Sequence, residues 1–234
     1  MGCLALDGVD PRSHAVRMPN AFLGAPAHRD RRAAGLAVAD AVDDLPGLVD
    51  PIVLALPRGG VPVGREVAVR LGAPLDVLAV RKIGVPGHEE LAMGAVASGG
   101  IVYLDRDIIR QIGLPPSTVD DVRDREATEV DERARRYRGR RPWPELRGRS
   151  VILVDDGVAT GATMLAAIAA LRPQEPREIV VAVPVAAAET RDRLVRAADR
   201  VVCVAAPDDL WAISLWYEDF AQVSDEDVEG LLAG

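Results

Sequence analysis

The chain has 234 residues, a formal charge of −8 and an isoelectric point near 5.0, enough for one α/β domain with accessory segments and a buried core. The acidic balance argues against a primary nucleic-acid binder, which needs a basic surface to neutralise phosphates, while a few local cations would still suffice for a small anion. Cys3 and Cys203 form no C-x-x-C pair and the three histidines no cluster, so neither a disulfide framework nor a zinc site is suggested, and a reducing, cytoplasmic setting is expected.

The opening MGCLALDGVDPRSH is broken by Asp7 and Asp10 and does not read as a secretory signal. Leu6 stands where a myristoylation motif wants Ser or Thr, and no apolar run reaches membrane-spanning length. Apolar residues at helical spacing predict a helix over 28–43, followed by a strand over 52–56. The turn Leu56-Pro-Arg-Gly-Gly-Val-Pro62 comes next. Gly59 and Gly60 allow close backbone approach there and Arg58 adds a cation able to fork onto phosphate, although an ordinary tight turn reads the same way.

A helix over 63–71 and a strand over 75–80 lead to Arg81 and Lys82, the latter the only lysine in the chain. The segment Ile-Gly-Val-Pro-Gly-His-Glu-Glu90 that follows has the composition of a mobile surface loop. Strands are expected over 93–97 and 101–104. From Ser117 to Arg138 the chain is heavily charged, with Glu129 and Arg133, Asp131 and Arg135, and Glu132 and Arg136 at i,i+4, which predicts an exposed helix with a solvated basic end. Arg141-Pro-Trp-Pro144 closes it.

A buried strand over 151–154 ends in Asp155 and Asp156, and Gly157 to Thr163 form a small-residue loop that opens a helix over 161–171. In a parallel sheet the carboxyl ends of strands face the ligand crevice, so both acids stand at its rim. The unobstructed backbone, the hydroxyls of Thr160 and Thr163 and the free amides of the helix opening suit a phosphate. The carboxylates suit sugar hydroxyls. A Walker B strand is ruled out because no Gly-Lys pair exists in the chain. The pattern continues with a strand over 179–183, a helix over 189–198 and a strand over 201–205. Strands alternating with helices predict βαβ units and a mostly parallel sheet covered on both faces. Trp211, Trp216, Tyr217 and Phe220 gather half of the eight aromatic residues near the end of the chain, where they could stack on a flat ring or seal core.

Over all thirteen positions, 151–163 resembles the phosphoribosyl pyrophosphate (PRPP) signature of type I phosphoribosyltransferases. The resemblance implies an α/β fold, a doubly wound and mostly parallel sheet, in a single domain. Its core would span about 46–206, its hood would be built from 19–45 and 207–234, and a helical insertion would cover 115–149. Asp155 and Asp156 would hold the ribose 2′ and 3′ hydroxyls and contact Mg2+ indirectly or through water. Gly157, Val158, Ala159, Thr160, Gly161, Ala162 and Thr163 would wrap the 5′-phosphate. Arg58, Gly59 and Gly60 would meet pyrophosphate together with Arg81 and Lys82, with Lys82 counted beside the two acids as catalytic. His88 and Glu89 would belong to the flexible loop, and Trp211, Trp216 and Tyr217 to the acceptor side.

The implied reaction transfers 5-phosphoribosyl from PRPP to a nitrogenous base or related acceptor and releases pyrophosphate. Ala159 departs from 6-oxopurine enzymes, where an Asp handles the base proton, so a hypoxanthine or guanine acceptor is disfavoured. The rival readings are a PRPP-sensing regulator without turnover and a phosphorylase or hydrolase of phosphoribosylated compounds. The expected partners are PRPP and a small acceptor, with a homodimer left open and neither nucleic acid nor membrane expected.

Overall fold

The computed structural model describes residues 26–139 and 141–233 and the backbone of 13–14. In chain order the elements are β1 (Ser13–His14), α1 (Arg31–Asp43), β2 (Ile52–Ala55), α2 (Gly60–Leu71), β3 (Leu75–Val77), β4 (Val80–Val85), β5 (His88–Ala97), β6 (Ile101–Leu104), α3 (Arg106–Ile112), α4 (Pro116–Arg138), β7 (Ser150–Val154), α5 (Ala162–Leu171), β8 (Glu178–Val185), α6 (Ala188–Ala197), β9 (Arg200–Ala205) and α7 (Asp225–Ala233). Residues 1–12 and 15–25, including Cys3 and the first part of the expected hood, lie outside the described residues.

The main sheet has the order β1-β9-β8-β7-β2-β3, and its strand pairs are parallel. Alternate side chains point to opposite faces, as strand geometry requires. Val53, Ile152, Val154, Val180 and Ala182 pack with Val38, Val42, Val63 and Val67 of α1 and α2. Leu54, Val151, Leu153, Val181 and Val183 pack on the other side with Met164 and Ile168 of α5 and Leu194 of α6. Both faces are dry, so these strands carry no polar alternation. Asp30 fixes the start of α1 by accepting from the Ala33 amide at 2.8 Å, later than the expected start at residue 28.

The expected strand over 75–80 divides in two. Leu78 still donates to the Ala55 carbonyl at 3.0 Å, but Ala79 bonds to Ser98 in a second sheet. That sheet is antiparallel, of order β4-β5-β6, and its strands β5 and β6 therefore do not join the parallel one. The segment read from composition as a loop is the tip of a β-ribbon turning at Pro86 and Gly87. Pro86 and Gly87 occupy the turn itself, while the pairing of Ile83 with Gly94 and Lys82 with Ala95, which makes strand of the flanking residues, is tertiary information.

Helix α4 appears where the charge pairs predicted it, but it is not an exposed helix. Val119, Val122, Glu126, Val130, Ala134 and Tyr137 recur at three- and four-residue spacing and are buried, and the valines pack with Ile83, Val85, Met93 and Val96 of the ribbon. Its basic end is not solvated throughout either. Arg138 is buried, pairs with Asp76 and lies 4.8 Å over the Trp143 ring. Of the pairs read at i,i+4, Asp131 and Arg135 stand 3.9 Å apart, while Glu129 reaches Arg81 and Arg136 reaches Asp225, each at 2.7 Å. No helix among the described residues is long and apolar enough to cross a membrane.

Candidate active site

Strands β2 and β7 are parallel neighbours with Ala55 opposite Val154, so the chain leaves both at one level and their loops meet. The Leu56 amide donates to the Val154 carbonyl at 2.9 Å, continuing the pairing by one residue. Beyond it, Gly59 and Gly60 lie directly on the acidic pair. A Cβ on Gly59 would fall 2.0 Å from Asp156 Oδ2, and one on Gly60 would fall 2.7 Å from the Val154 carbonyl oxygen. Only glycine fits this approach. The Pro57–Arg58 peptide bond is cis.

Asp155 Oδ1 accepts from the Asp156 amide at 2.8 Å. Burial, with the Asp156 charge added, pushes the Asp155 carboxyl well above the usual range. Asp156 has a different environment. Its Oδ2 accepts from Arg31 Nε at 2.7 Å in a mostly buried pair, and its main-chain carbonyl accepts from the Tyr217 hydroxyl at 2.5 Å. Arg31 also donates to the Ala221 carbonyl at 2.8 Å and sits 3.8 Å over the Phe220 ring. Burial, then the nearby Asp156 charge, raises the Tyr217 hydroxyl, which stays a donor.

The loop 157–163 is held from the end of β8 and from α6. The Val158 amide donates to the Val185 carbonyl at 2.8 Å, Thr190 Oγ1 donates to the Ala159 carbonyl at 2.6 Å, and Arg193 donates to the Thr160 carbonyl at 3.1 Å. Gly161 takes φ +75° at the start of α5, and a Cβ there would meet Thr190 at 2.8 Å. With these carbonyls engaged by α6, the exposed Thr160, Ala162 and Thr163 border the first turn of α5, whose amides have no intrahelical acceptor. A cleft of about 500 Å³ lies between this turn, the ribbon and α4; Arg81, Lys82 and Thr163 line it.

Other sequence-predicted residues are less central. Arg58 is drawn toward Asp225, 3.6 Å away. Arg81 is engaged by Glu126 and Glu129 of α4, at 2.5 and 2.7 Å. His88 is exposed at the head of β5 and does not line the cleft, and Glu89 follows it in that strand. Trp216 and Tyr217 are buried, with the Tyr217 ring 4.9 Å from Phe220 and 5.8 Å from His28, whereas Trp211 is 89% exposed. Sealing core is thus what Trp216 and Tyr217 do. Sequence reasoning missed Arg31, Thr190, Arg193 and Glu126; Arg31 carried no signal within Arg29-Asp-Arg-Arg32, and Thr190 and Arg193 look like ordinary helix-face residues.

No group of three or more potential metal-ligating side chains occurs among the described residues. The two adjacent carboxylates of Asp155 and Asp156 do fit Mg2+, which takes one or two protein carboxylates and completes its shell with water and ligand oxygens.

A doubly wound parallel sheet with an acidic pair and a small-residue loop at adjoining strand ends defines the class of α/β protein whose ligand crevice lies at the carboxyl ends of its strands. The phosphoribosyl transferase domain family matches residues 35–219, and the chain belongs to that family. It is 42% identical over 203 residues to a Mycobacterium tuberculosis protein whose phosphoribosyl transferase assignment is itself provisional, covering 87% of this chain and 46% of that protein. The chain therefore spans about half the length of that relative. The crystal structure of the Thermus thermophilus protein TT1426 superposes with a TM-score of 0.82 at 48% identity, covering 88% of this chain and 97% of that one.

Proposed function

We propose that the protein transfers the 5-phosphoribosyl group of PRPP to a nitrogenous acceptor and releases pyrophosphate. The observation that carries this is the contact of Gly59 and Gly60 with Asp155 and Asp156, which puts a bare backbone loop and two carboxylates around one point at the ends of β2 and β7. The acids accept the ribose hydroxyls, the loop from Gly157 to Thr163 takes the 5′-phosphate, and Arg58 with Lys82 steadies the departing pyrophosphate. Displacement at C1 of the ribose then needs positioned partners and fixed charge rather than a covalent nucleophile. Mg2+, held by Asp155 and Asp156 indirectly or through water, would neutralise charge on the leaving group.

Pyrophosphate release from PRPP and Mg2+, screened over nucleobases, tests the reading. Release should depend on one acceptor, and Asp155→Asn or Asp156→Asn should each lower it by about a hundred-fold or more. A wild-type protein that does not bind PRPP would falsify the proposal, and binding without release under any acceptor would favour the sensor.

A further inference from the structure

The cleft beside the phosphate loop has a wall that the family signature does not supply. Arg81 and Lys82 of the ribbon and Thr163 of the loop face Arg125 and Glu126 of α4 across about 500 Å³, a size ordinary for a small-ligand site. Glu126 has one carboxylate oxygen for each side. Its Oε2 accepts from Arg81 Nε at 2.5 Å, and its Oε1 accepts from Arg125 Nε and Nη2 at 3.2 and 3.1 Å. Burial alone would push the Glu126 carboxyl up, but the hydrogen bonds from Arg81 and Arg125 outweigh it and hold it below its ordinary value. Glu126 is thus a buried anion that fixes two guanidinium groups.

The charge at this place runs against that of the molecule. Three cations and one carboxylate line the cleft of a chain whose net charge is −8. The opening turn of α5, at Ala162 and Thr163, adds amides without intrahelical partners on the same wall. Arg125 is two-thirds exposed, and Glu126 engages two of its nitrogens through a single oxygen, so donor capacity is left for a ligand.

We propose that α4 supplies a further binding residue to the site: Arg125, positioned by Glu126, takes a phosphate group in the cleft together with Lys82 and the opening of α5. The identity of the ligand as PRPP rests on the reading above. The sign of its charge rests on the cleft.

The test is calorimetric titration of the full chain at low salt with PRPP and, separately, with inorganic pyrophosphate. The proteins compared are wild type, Arg125→Ala, Arg125→Lys and, on the same helix but away from the cleft, Arg135→Ala. Arg125→Ala should weaken binding by about ten-fold, a loss typical of one charge-assisted hydrogen-bonding group. Lysine should restore part of it, having the charge without the fork, and Arg135→Ala should match wild type. The unfolding midpoint should fall only slightly, because the Arg125 side chain is largely exposed and Arg81 still pairs with the buried Glu126 carboxylate. PRPP bound equally by wild type and Arg125→Ala overturns the inference and leaves the transferase reading standing. Pyrophosphate binding that is lost in Arg125→Ala, with no binding of PRPP by wild type, supports the cleft and removes the transferase reading. No binding of either anion by wild type overturns both.

Discussion

Asp155 and Asp156 are chemically identical neighbours made different by what surrounds them. Asp156 is buried and paired with Arg31, whereas Asp155 is half-buried, has no such cation on its carboxylate among the described residues, and carries a carboxyl raised well above its ordinary value, first by desolvation and then by the adjacent charge. A raised carboxyl binds its proton more tightly in the folded chain than in the unfolded one. Its contribution to stability is therefore complete below the ordinary carboxylate range and is lost as pH rises through the folded value. Asp155→Asn removes this dependence, so thermal unfolding in metal-free buffer should show the variant gaining on wild type as pH rises from about 4 toward 8. Parallel midpoint curves would refute it. On the proposed reaction the same substitution should lower turnover by about a hundred-fold or more, the usual opposition of stability and function in a charged site. The acids and loop were legible because their signal lies within thirteen consecutive positions. Arg31 was not, because its partner is 125 residues away and nothing local separates it from Arg29 or Arg32.

At the scale of elements, the ribbon and α4 are where local composition misled. A glycine- and proline-containing stretch beside a helix dense in charge suggests two solvated pieces, and each conceals one apolar face. Ile83, Val85, Met93 and Val96 meet Val119, Val122 and Val130, and the contact exists only once the two elements are brought together. Spacing along α4 carried the information, since its valines fall three and then eight residues apart, but the charged residues between them dominate any average. Met93 is fully buried in this contact, while Val102 on β6 is 41% exposed. Met93→Ala should thus lower the free energy of unfolding by about 2–4 kcal/mol, and Val102→Ala by about 0.5 kcal/mol or less. Denaturant titration measures both, and equal costs would mean that the antiparallel sheet has no covered face. The parallel sheet was easier to read because its strands are dry on both sides and announce themselves as unbroken apolar runs.

For the molecule as a whole, regions far apart in sequence converge on Asp156. Arg31 at the start of α1 holds its carboxylate, and Tyr217, which follows the last strand of the sheet, donates to its carbonyl. The two regions are also joined directly: His28 and Trp216 share a main-chain hydrogen bond of 3.0 Å, and Arg31 lies on Phe220. This closure ties the segments at 28–34 and 213–220 to the carboxyl end of β7, so they should unfold with the sheet rather than before it. Tyr217→Phe tests the tie with the least disturbance. The ring remains with His28 and Phe220, but the Asp156 carbonyl loses a donor, which should cost about 1–2 kcal/mol. With Trp143 and Trp211 replaced by Phe in both proteins, buried Trp216 reports on this closure by fluorescence, and far-ultraviolet circular dichroism reports on the sheet. If the two probes give coincident transitions in wild type and again, at lower denaturant, in Tyr217→Phe, the closing segments belong to one cooperative unit with the site. A fluorescence transition that precedes the loss of the sheet in wild type would instead make them a separate lid, and the Arg31–Asp156 pair would then be a contact that opens independently of the fold.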